Sequence, residues 1–358
     1  MLRAATATAE AADALAAFLA EATSPALVVG AGADDPETWA ALVALAERLV
    51  APVFQEAFGG RAGFPQHHPL FQGVLPADRA RLRERLAPYD TLLVVGAPVF
   101  RQTAYVPGRF TSPGTRIAVV GDDHAEVHRS PSDLAVLAPP AAVCRDLLER
   151  VAARDASPPE PLAAPPVPPP PVPGQPLLAS HVLAALAERL PSNAIVVEEA
   201  PVDRPDIHAC LPAREPLGYL SAAMGGLGFA MPAAAGLRMA VPHRPVVAVV
   251  GDGSAIYGVP AVWSAAHYGM GALFVVLSND RYAVMDRLME RHGGTGPWPA
   301  FGEVELATIA RGFGCPARRI TTHDELIEAL DEVVPTLVDR SEPLVLDVAV
   351  APTLEFEP

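Results

Sequence analysis

Val249–Asp280, "VVGDGSAIYGVPAVWSAAHYGMGALFVVLSND", is the stretch that decides the fold. An apolar run ends in Gly-Asp-Gly, a helical pattern follows, and a second apolar run ends in Ser-Asn-Asp. Continuous apolar runs separated by a helix indicate parallel strands covered on both faces. A right-handed crossover sets their ends side by side, so Asp252 and Asn279 converge. Gly251 and Gly253 permit unusual φ and leave amides unshielded. Ser254 leads into a helix whose N-terminus favours phosphate, and Pro260 belongs near that helix's first turn. The Asp252 and Asn279 oxygens, a main-chain carbonyl, a water and two phosphate oxygens would complete an octahedral Mg²⁺ shell. The plainer reading has Asp252 capping the helix and Asn279 making a turn. Asn193 and Asn279 are the only asparagines in the chain, which makes chance placement less comfortable. Spacing alone leaves both readings open.

The same alternation extends in both directions. "ALVVGAG", "APVFQEA", "TLLVVGAPV", "RIAVVGDD" and "DLAVLAP" read as strands in the first half, with a helix at Pro36–Leu49. "AIVVEEA", "VVAVVGDG", "ALFVVLSND" and "PLVLDVAV" repeat the style in the second. Helices are expected there at Leu177–Leu190, Gly228–Ala240, Ala261–Tyr268, Leu306–Phe313 and His323–Val334. Between the halves lies "ASPPEPLAAPPVPPPPVPGQP", Ala156–Pro176. Proline fixes φ and removes amide donors, so this segment runs as a stiff tether. The predicted fold is α/β, with two doubly wound parallel-sheet domains, residues 1–155 and 177–358, joined by a proline-rich linker over 156–176.

The 358 residues suffice for two domains, and a composition 51% hydrophobic and 19% charged argues against disorder. Net charge is −15, and no lysine occurs. That excludes lysine Schiff-base chemistry and the P-loop lysine. It also argues against nucleic acid or an anionic membrane as partner. Cys144, Cys210 and Cys315 are scattered and odd in number, which suits a reducing compartment, no zinc site and a role as apolar filler. The N-terminal "AADALAAFLA" is interrupted by Asp13 and bordered by Glu10, so it reads as an amphipathic helix rather than a signal peptide. No apolar run is long enough to cross a bilayer, and the chain is expected to be soluble and cytoplasmic.

Two first-half features imitate cofactor motifs. "GAGADD" (Gly30–Asp35) lacks the third glycine of a dinucleotide fingerprint and carries two early acids. "VVGDD" (Val119–Asp123) matches the opening stretch, but no asparagine follows it in that half. Both are expected to be ordinary junctions.

GDG followed by a strand-end asparagine 27 positions later resembles the metal and diphosphate motif of thiamine-diphosphate enzymes. "FPQHHPLFQGVLPA" and "GAPVFRQTAYVPG" are similar to the middle domain of the benzoylformate decarboxylase type. "SAAMGGLGFAMPAAAG" and "VVGDGSAIYGVPAVWSAAHYG" are similar to its diphosphate-binding domain. The resemblance implies thiamine diphosphate and Mg²⁺ as cofactors. It implies Asp252, the Asn279 side chain and the Arg281 carbonyl as metal ligands, with Gly253, Ser254 and Tyr282 along the diphosphate. Leu227 would be the wedge that bends the cofactor, and the Gly225 carbonyl would accept from its aminopyrimidine. The bend brings the pyrimidine's imino nitrogen to the thiazolium C2 proton. His68 would assist proton transfers, for which an imidazole is suited; its neighbour His67 reads as merely exposed. Ser221, Val284 and Met285 would line the pocket of a small 2-keto acid.

Three departures from that pattern stand out. Pro201-Val202-Asp203 replaces hydroxyl residues facing the diphosphate, and Asp280 and Arg281 stand where relatives carry small or neutral residues. The family's N-terminal pyrimidine-binding domain, which supplies a glutamate needed to activate the cofactor, has no counterpart here. The expectation is therefore one subunit of a split 2-keto acid decarboxylase within an oligomer, completed by a separately encoded pyrimidine-domain protein. An acetolactate-synthase-like carboligase subunit, a catalytically silent fragment and a dinucleotide-binding protein are the alternatives.

Overall fold

A computed structural model of the chain describes residues 8–103, 105–291 and 293–353. It divides into two compact units, residues 8–163 with 213–217, and residues 164–212 with 218–353. The division falls inside the proline-rich segment, and the return of Ala213–Leu217 to the first unit was not foreseen. Gln66 holds that segment: its amide donates to the Ala213 carbonyl (2.9 Å), and the Ala213 amide donates to its Oε1 (2.7 Å).

The first unit contains β1 (Pro25–Val29), β2 (Val53–Gln55), β3 (Phe71–Val74), β4 (Thr91–Val95), β5 (Arg116–Gly121) and β6 (Leu134–Leu137), all parallel, in the order β3-β2-β1-β4-β5-β6. Every residue of β1 and β4 is buried because the sheet has a core on each face. Leu93 and Val95 join Leu42, Leu45 and Leu147 on one side. Leu92 and Val94 join Phe54, Leu82 and Leu86 on the other. The amphipathic reading of the N-terminus holds: Ala9–Ala20 is a helix capped by Thr8, with Ala12, Leu15 and Leu19 buried.

The second unit contains β7 (Ile195–Glu199), β8 (Tyr219–Ser221), β9 (Val246–Gly251), β10 (Leu273–Ser278), β11 (Ala317–Ile320) and β12 (Leu344–Ala349), again all parallel, in the order β11-β12-β10-β9-β7-β8. Phe274, Val275, Val276 and Leu277 are fully buried. Each is worth about 1.5–3 kcal/mol relative to an exposed position. From β7 the chain crosses outward to β8, and from β9 it crosses the opposite way to β10. The topological switch therefore lies between β7 and β9, and open α/β sheets bind ligands beyond the carboxyl ends of such strands.

The expected helices form within a residue or two of their predicted ends, as at Ala179–Arg189 and His323–Val333. The crossover after β9 differs. It holds two helices, Asp252–Gly258 and Ala261–His267, and Pro260 occupies the N-cap position of the second. The helix beginning at the Gly-Asp-Gly turn is thus a separate seven-residue piece, because proline cannot continue the amide ladder from it. Strands β3, β8 and β11 were missed. All three are sheet edges of three or four residues, and the "ARRI" of β11 exposes both arginines, so none carries a continuous apolar run. Among the described residues no helix is long and apolar enough to cross a membrane.

Candidate functional site

Parallel pairing of β9 with β10 sets Gly251 opposite Leu277, so Asp252 emerges beside the end of β10. Asp252 is 4% exposed. Oδ1 accepts from the Gly253 amide (2.7 Å) and Oδ2 from the Asp280 amide (2.6 Å). Two strand ends separated in sequence are thereby tied together by one side chain. Burial pushes this carboxyl up to about 6, against the pull of the Asp280, Gly253 and Asn279 amides; the Asp280 charge adds to the rise. Asn279 is half-buried at the head of the same turn, and its Oδ1 accepts from the Arg281 amide (3.3 Å). Asp280 sits at φ 62, a left-handed conformation that aspartate tolerates better than most residues.

These residues fit a hard divalent cation. A buried carboxylate and, at the neighbouring strand end, a half-buried amide oxygen are oxygen donors of the kind Mg²⁺ takes. Among the described residues no cluster of three His, Cys, Asp or Glu side chains offers a competing metal site. Gly253 is needed for space: a Cβ there would stand 2.7–2.8 Å from ring carbons of Tyr282. Tyr282 packs edge-on against Phe301 (4.9 Å between centroids), and Ser254 is buried in the next helical position. The structure thus gathers Asp252, Gly253, Ser254, Asn279, Arg281 and Tyr282 at one corner of the sheet.

The turn carrying Gly225 and Leu227 follows β8. Met224 and Gly225 have φ of 65 and 73, and Leu227 is 44% exposed. Gly228, at φ 87, lies against Tyr257 of the helix that starts at Asp252; a Cβ there would meet the Tyr257 Cβ at 3.3 Å. Ser221 ends β8, whereas Val284 and Met285 open the helix Ala283–Arg291 after β10. Three inter-strand steps separate those strands, about 14 Å at the usual spacing. Ser221 and the Val284–Met285 pair therefore approach the carboxyl end of the sheet from opposite sides of the switch point.

His68 lies in the first unit. Its Nδ1 accepts from the Leu70 amide (3.2 Å), its Nε2 is 3.4 Å from Glu47 Oε1, and its ring stands edge-on to Phe64. His67 is exposed, as expected. Asp203, which stands where a hydroxyl residue would face the diphosphate, is buried and accepts from the Thr353 hydroxyl (2.6 Å). Burial pushes its carboxyl up to about 6. In "GAGADD", the Gly32 amide donates to the Gly96 carbonyl (2.8 Å), and Asp35 caps the following helix through the amides of Glu37 and Thr38 (both 3.0 Å). Asp34 is taken by Arg61 (2.7 Å) and the Leu217 amide. That loop consumes its own donors. Asp123 of "VVGDD" likewise caps a short helix. All three cysteines are free.

Two buried acids at the end of β7 escaped the sequence reading. Glu198 accepts from Arg204 Nε (2.7 Å), the Tyr219 hydroxyl (2.9 Å) and the Ala200 amide (2.7 Å). Glu199 accepts from the amides of Gly228 and Ala230, the latter at 2.6 Å. The signal was present: two consecutive acids ending a valine strand at the sheet's switch point need internal partners.

Known proteins resemble the chain in both units. The family description "Thiamine pyrophosphate enzyme, central domain" matches residues 12–147, and "Thiamine pyrophosphate enzyme, C-terminal TPP binding domain" matches residues 206–348. The chain belongs to the thiamine pyrophosphate enzymes through those two domains. It is 35% identical over 341 residues to a benzoylformate decarboxylase of Pseudomonas aeruginosa, covering 95% of this chain and 63% of that protein. The solved structure of a thiamine diphosphate-dependent 4-hydroxybenzoylformate decarboxylase from Rhodococcus jostii superposes with a TM-score of 0.90 at 32% identity, covering 99% of this chain and 66% of that one. An acetolactate synthase large subunit of Parasynechococcus marenigrum is 29% identical over 361 residues, covering 90% of this chain and 54% of that protein. The chain thus spans less than two thirds of the length of these relatives.

Proposed function

We propose that this chain binds thiamine diphosphate through Mg²⁺ and serves the non-oxidative decarboxylation of a 2-keto acid, with an aryl keto acid such as benzoylformate as the first candidate. The observation that carries this reading is the tie between the ends of β9 and β10, where the buried Asp252 carboxylate accepts from the amide of Asp280, the residue between Asn279 and Arg281. Asp252, the Asn279 side chain and the Arg281 carbonyl would hold the metal, and Gly253, Ser254 and Tyr282 would lie along the diphosphate. Leu227 would support the bend between the cofactor's rings, and the Gly225 carbonyl would accept from the aminopyrimidine. When bound, thiamine diphosphate supplies the carbon nucleophile and electron sink that the loss of CO₂ requires. His68 would move protons for the bound acid, and Ser221, Val284 and Met285 would shape its pocket.

The pyrimidine-binding part of the site would come from a separately encoded chain, within a cytoplasmic hetero-oligomer. Met224 and Leu227, 55% and 44% exposed beside the cofactor turn, are consistent with a surface awaiting cover. Carboligation of the acetolactate-synthase kind is the second reading, favoured by the likeness to that subunit over 90% of the chain.

The test titrates the protein with thiamine diphosphate and Mg²⁺, alone and with a candidate pyrimidine-domain chain, and then assays benzoylformate decarboxylation. Metal-dependent binding that Asp252→Ala abolishes, with activity appearing only in the mixture, is the expected result. Unimpaired binding by Asp252→Ala would remove the metal assignment. Ordinary turnover by the chain alone would remove the partner requirement. Binding with no turnover under any condition would leave a cofactor-binding protein without catalysis.

A further inference from the structure

The helix Ala230–Ala240 starts without a local cap: Phe229 stands at its N-cap and offers no side-chain acceptor. Its first amides are served from the neighbouring strand instead. Glu199, the last residue of β7 and 3% exposed, accepts from Gly228 N–H at one oxygen and from Ala230 N–H at the other. Charge-assisted bonds of this kind are about twice as strong as neutral ones. Burial raises the Glu199 carboxyl, and the amides of Ala230, Gly228 and Phe229 draw it back.

The residues just before this clamp are the least supported part of the site. Met224, Gly225 and Gly228 all have positive φ, and residues 223–227 are exposed. A Cβ built at Gly225 or Gly226 would meet nothing within 4 Å. The turn is held at one end by β8 and at the other by Glu199 together with the Gly228–Tyr257 contact.

We propose that Glu199 is a positioning residue for the Gly225–Leu227 turn. By holding the Gly228 and Ala230 amides it fixes where the Leu227 side chain and the Gly225 carbonyl stand toward the ring portion of the cofactor. This rests on the reading of thiamine diphosphate as the ligand. Only a carboxylate supplies acceptors to both amides; a glutamine supplies one and turns an NH₂ group toward the other. The diphosphate end, held by Asp252 and Asn279, does not depend on the clamp. Glu199 therefore acts selectively on the rings.

The experiment uses the full chain and two readouts. In hydrogen exchange on the cofactor-free protein, Glu199→Gln is expected to speed exchange at Gly228–Ala230 by at least about tenfold, the equivalent of one lost hydrogen bond, while β9 and β10 keep their protection. In calorimetry with Mg²⁺, it is expected to weaken thiamine diphosphate about tenfold and leave inorganic pyrophosphate within about twofold. Leu227→Ala should weaken the same ligand, and the double variant should be no weaker than the worse single, since both act on one turn. Unchanged exchange at Gly228–Ala230, equal weakening of both ligands, or additive effects would each overturn the proposal. If the wild-type chain binds neither ligand with Mg²⁺, the cofactor reading fails and takes the proposal with it. If it binds both and only the selectivity is missing, the cofactor reading stands and the role of Glu199 falls.

Discussion

Replacing Glu56 by glutamine should make the first unit more stable in a way that grows with pH. Glu56 follows β2 and is 1% exposed. Oε2 accepts from the Phe58 amide (3.1 Å), and no donor among the described residues reaches Oε1. Burial pushes the carboxyl from its ordinary 4.5 up to about 7. Arg101 and the Phe58 and Arg101 amides oppose the rise, and Glu126 reinforces it. The folded state then holds a proton that the unfolded chain releases, so stability falls as pH rises from about 4.5 and levels off above about 7. At 1.36 kcal/mol per pH unit, the loss between pH 5 and pH 8 is about 2.5 kcal/mol. Glutamine keeps an acceptor for Phe58 and does not titrate. The advantage of Glu56→Gln should therefore widen by about 2.5 kcal/mol over that range, or about 1 M in urea midpoint at a slope of about 2 kcal/mol per M. Trp39, buried in the helix Pro36–Leu49, reports on this unit alone once Trp263 and Trp298 are replaced by phenylalanine. An offset between the two proteins that does not change from pH 5 to pH 8 would refute the reasoning.

Gly253→Ala places a methyl within 2.8 Å of the Tyr282 ring and should lower stability by about 1–3 kcal/mol; adding Tyr282→Ala should recover most of that in a thermal melt. Arg204→Met strips the cation from Glu198, which is 0% exposed, and should cost about 3–5 kcal/mol in urea unfolding, with Glu198→Gln restoring much of it. Cys144 and Cys315 are buried, and burial pushes both thiols up to about 12, so a thiol reagent should label the half-buried Cys210 first and the other two only on unfolding. Mass spectrometry of the labelled protein checks the order.

The interior of both sheets was readable because each central strand has cores on two faces and so needs an unbroken apolar run. "TLLVVG" and "LFVVLS" admit no other reading of comparable quality, and both are strands. Edges obey no such rule. "YLS" and "ARRI" make only one row of ladder bonds, tolerate polar side chains, and left no pattern to find. The diphosphate corner was legible for a related reason. Adjacent parallel strands must end together, so an acid after one and an amide after the next are neighbours whatever surrounds them. Ser221, Val284 and Met285 had no such constraint, and the sheet sets them strands apart.

Chain order and hydrophobic period were thus enough to define two doubly wound sheets and the meeting of Asp252 with Asn279, since both follow from local burial and the handedness of a crossover. What an individual polar group does there could only be decided by folding. Asp203 turned to Thr353, Asp34 took Arg61 and the Leu217 amide, and Glu199 took the amides of a turn 29 positions away. A buried charge settles on whichever donors the folded chain brings within 3 Å, and those donors are distant in sequence.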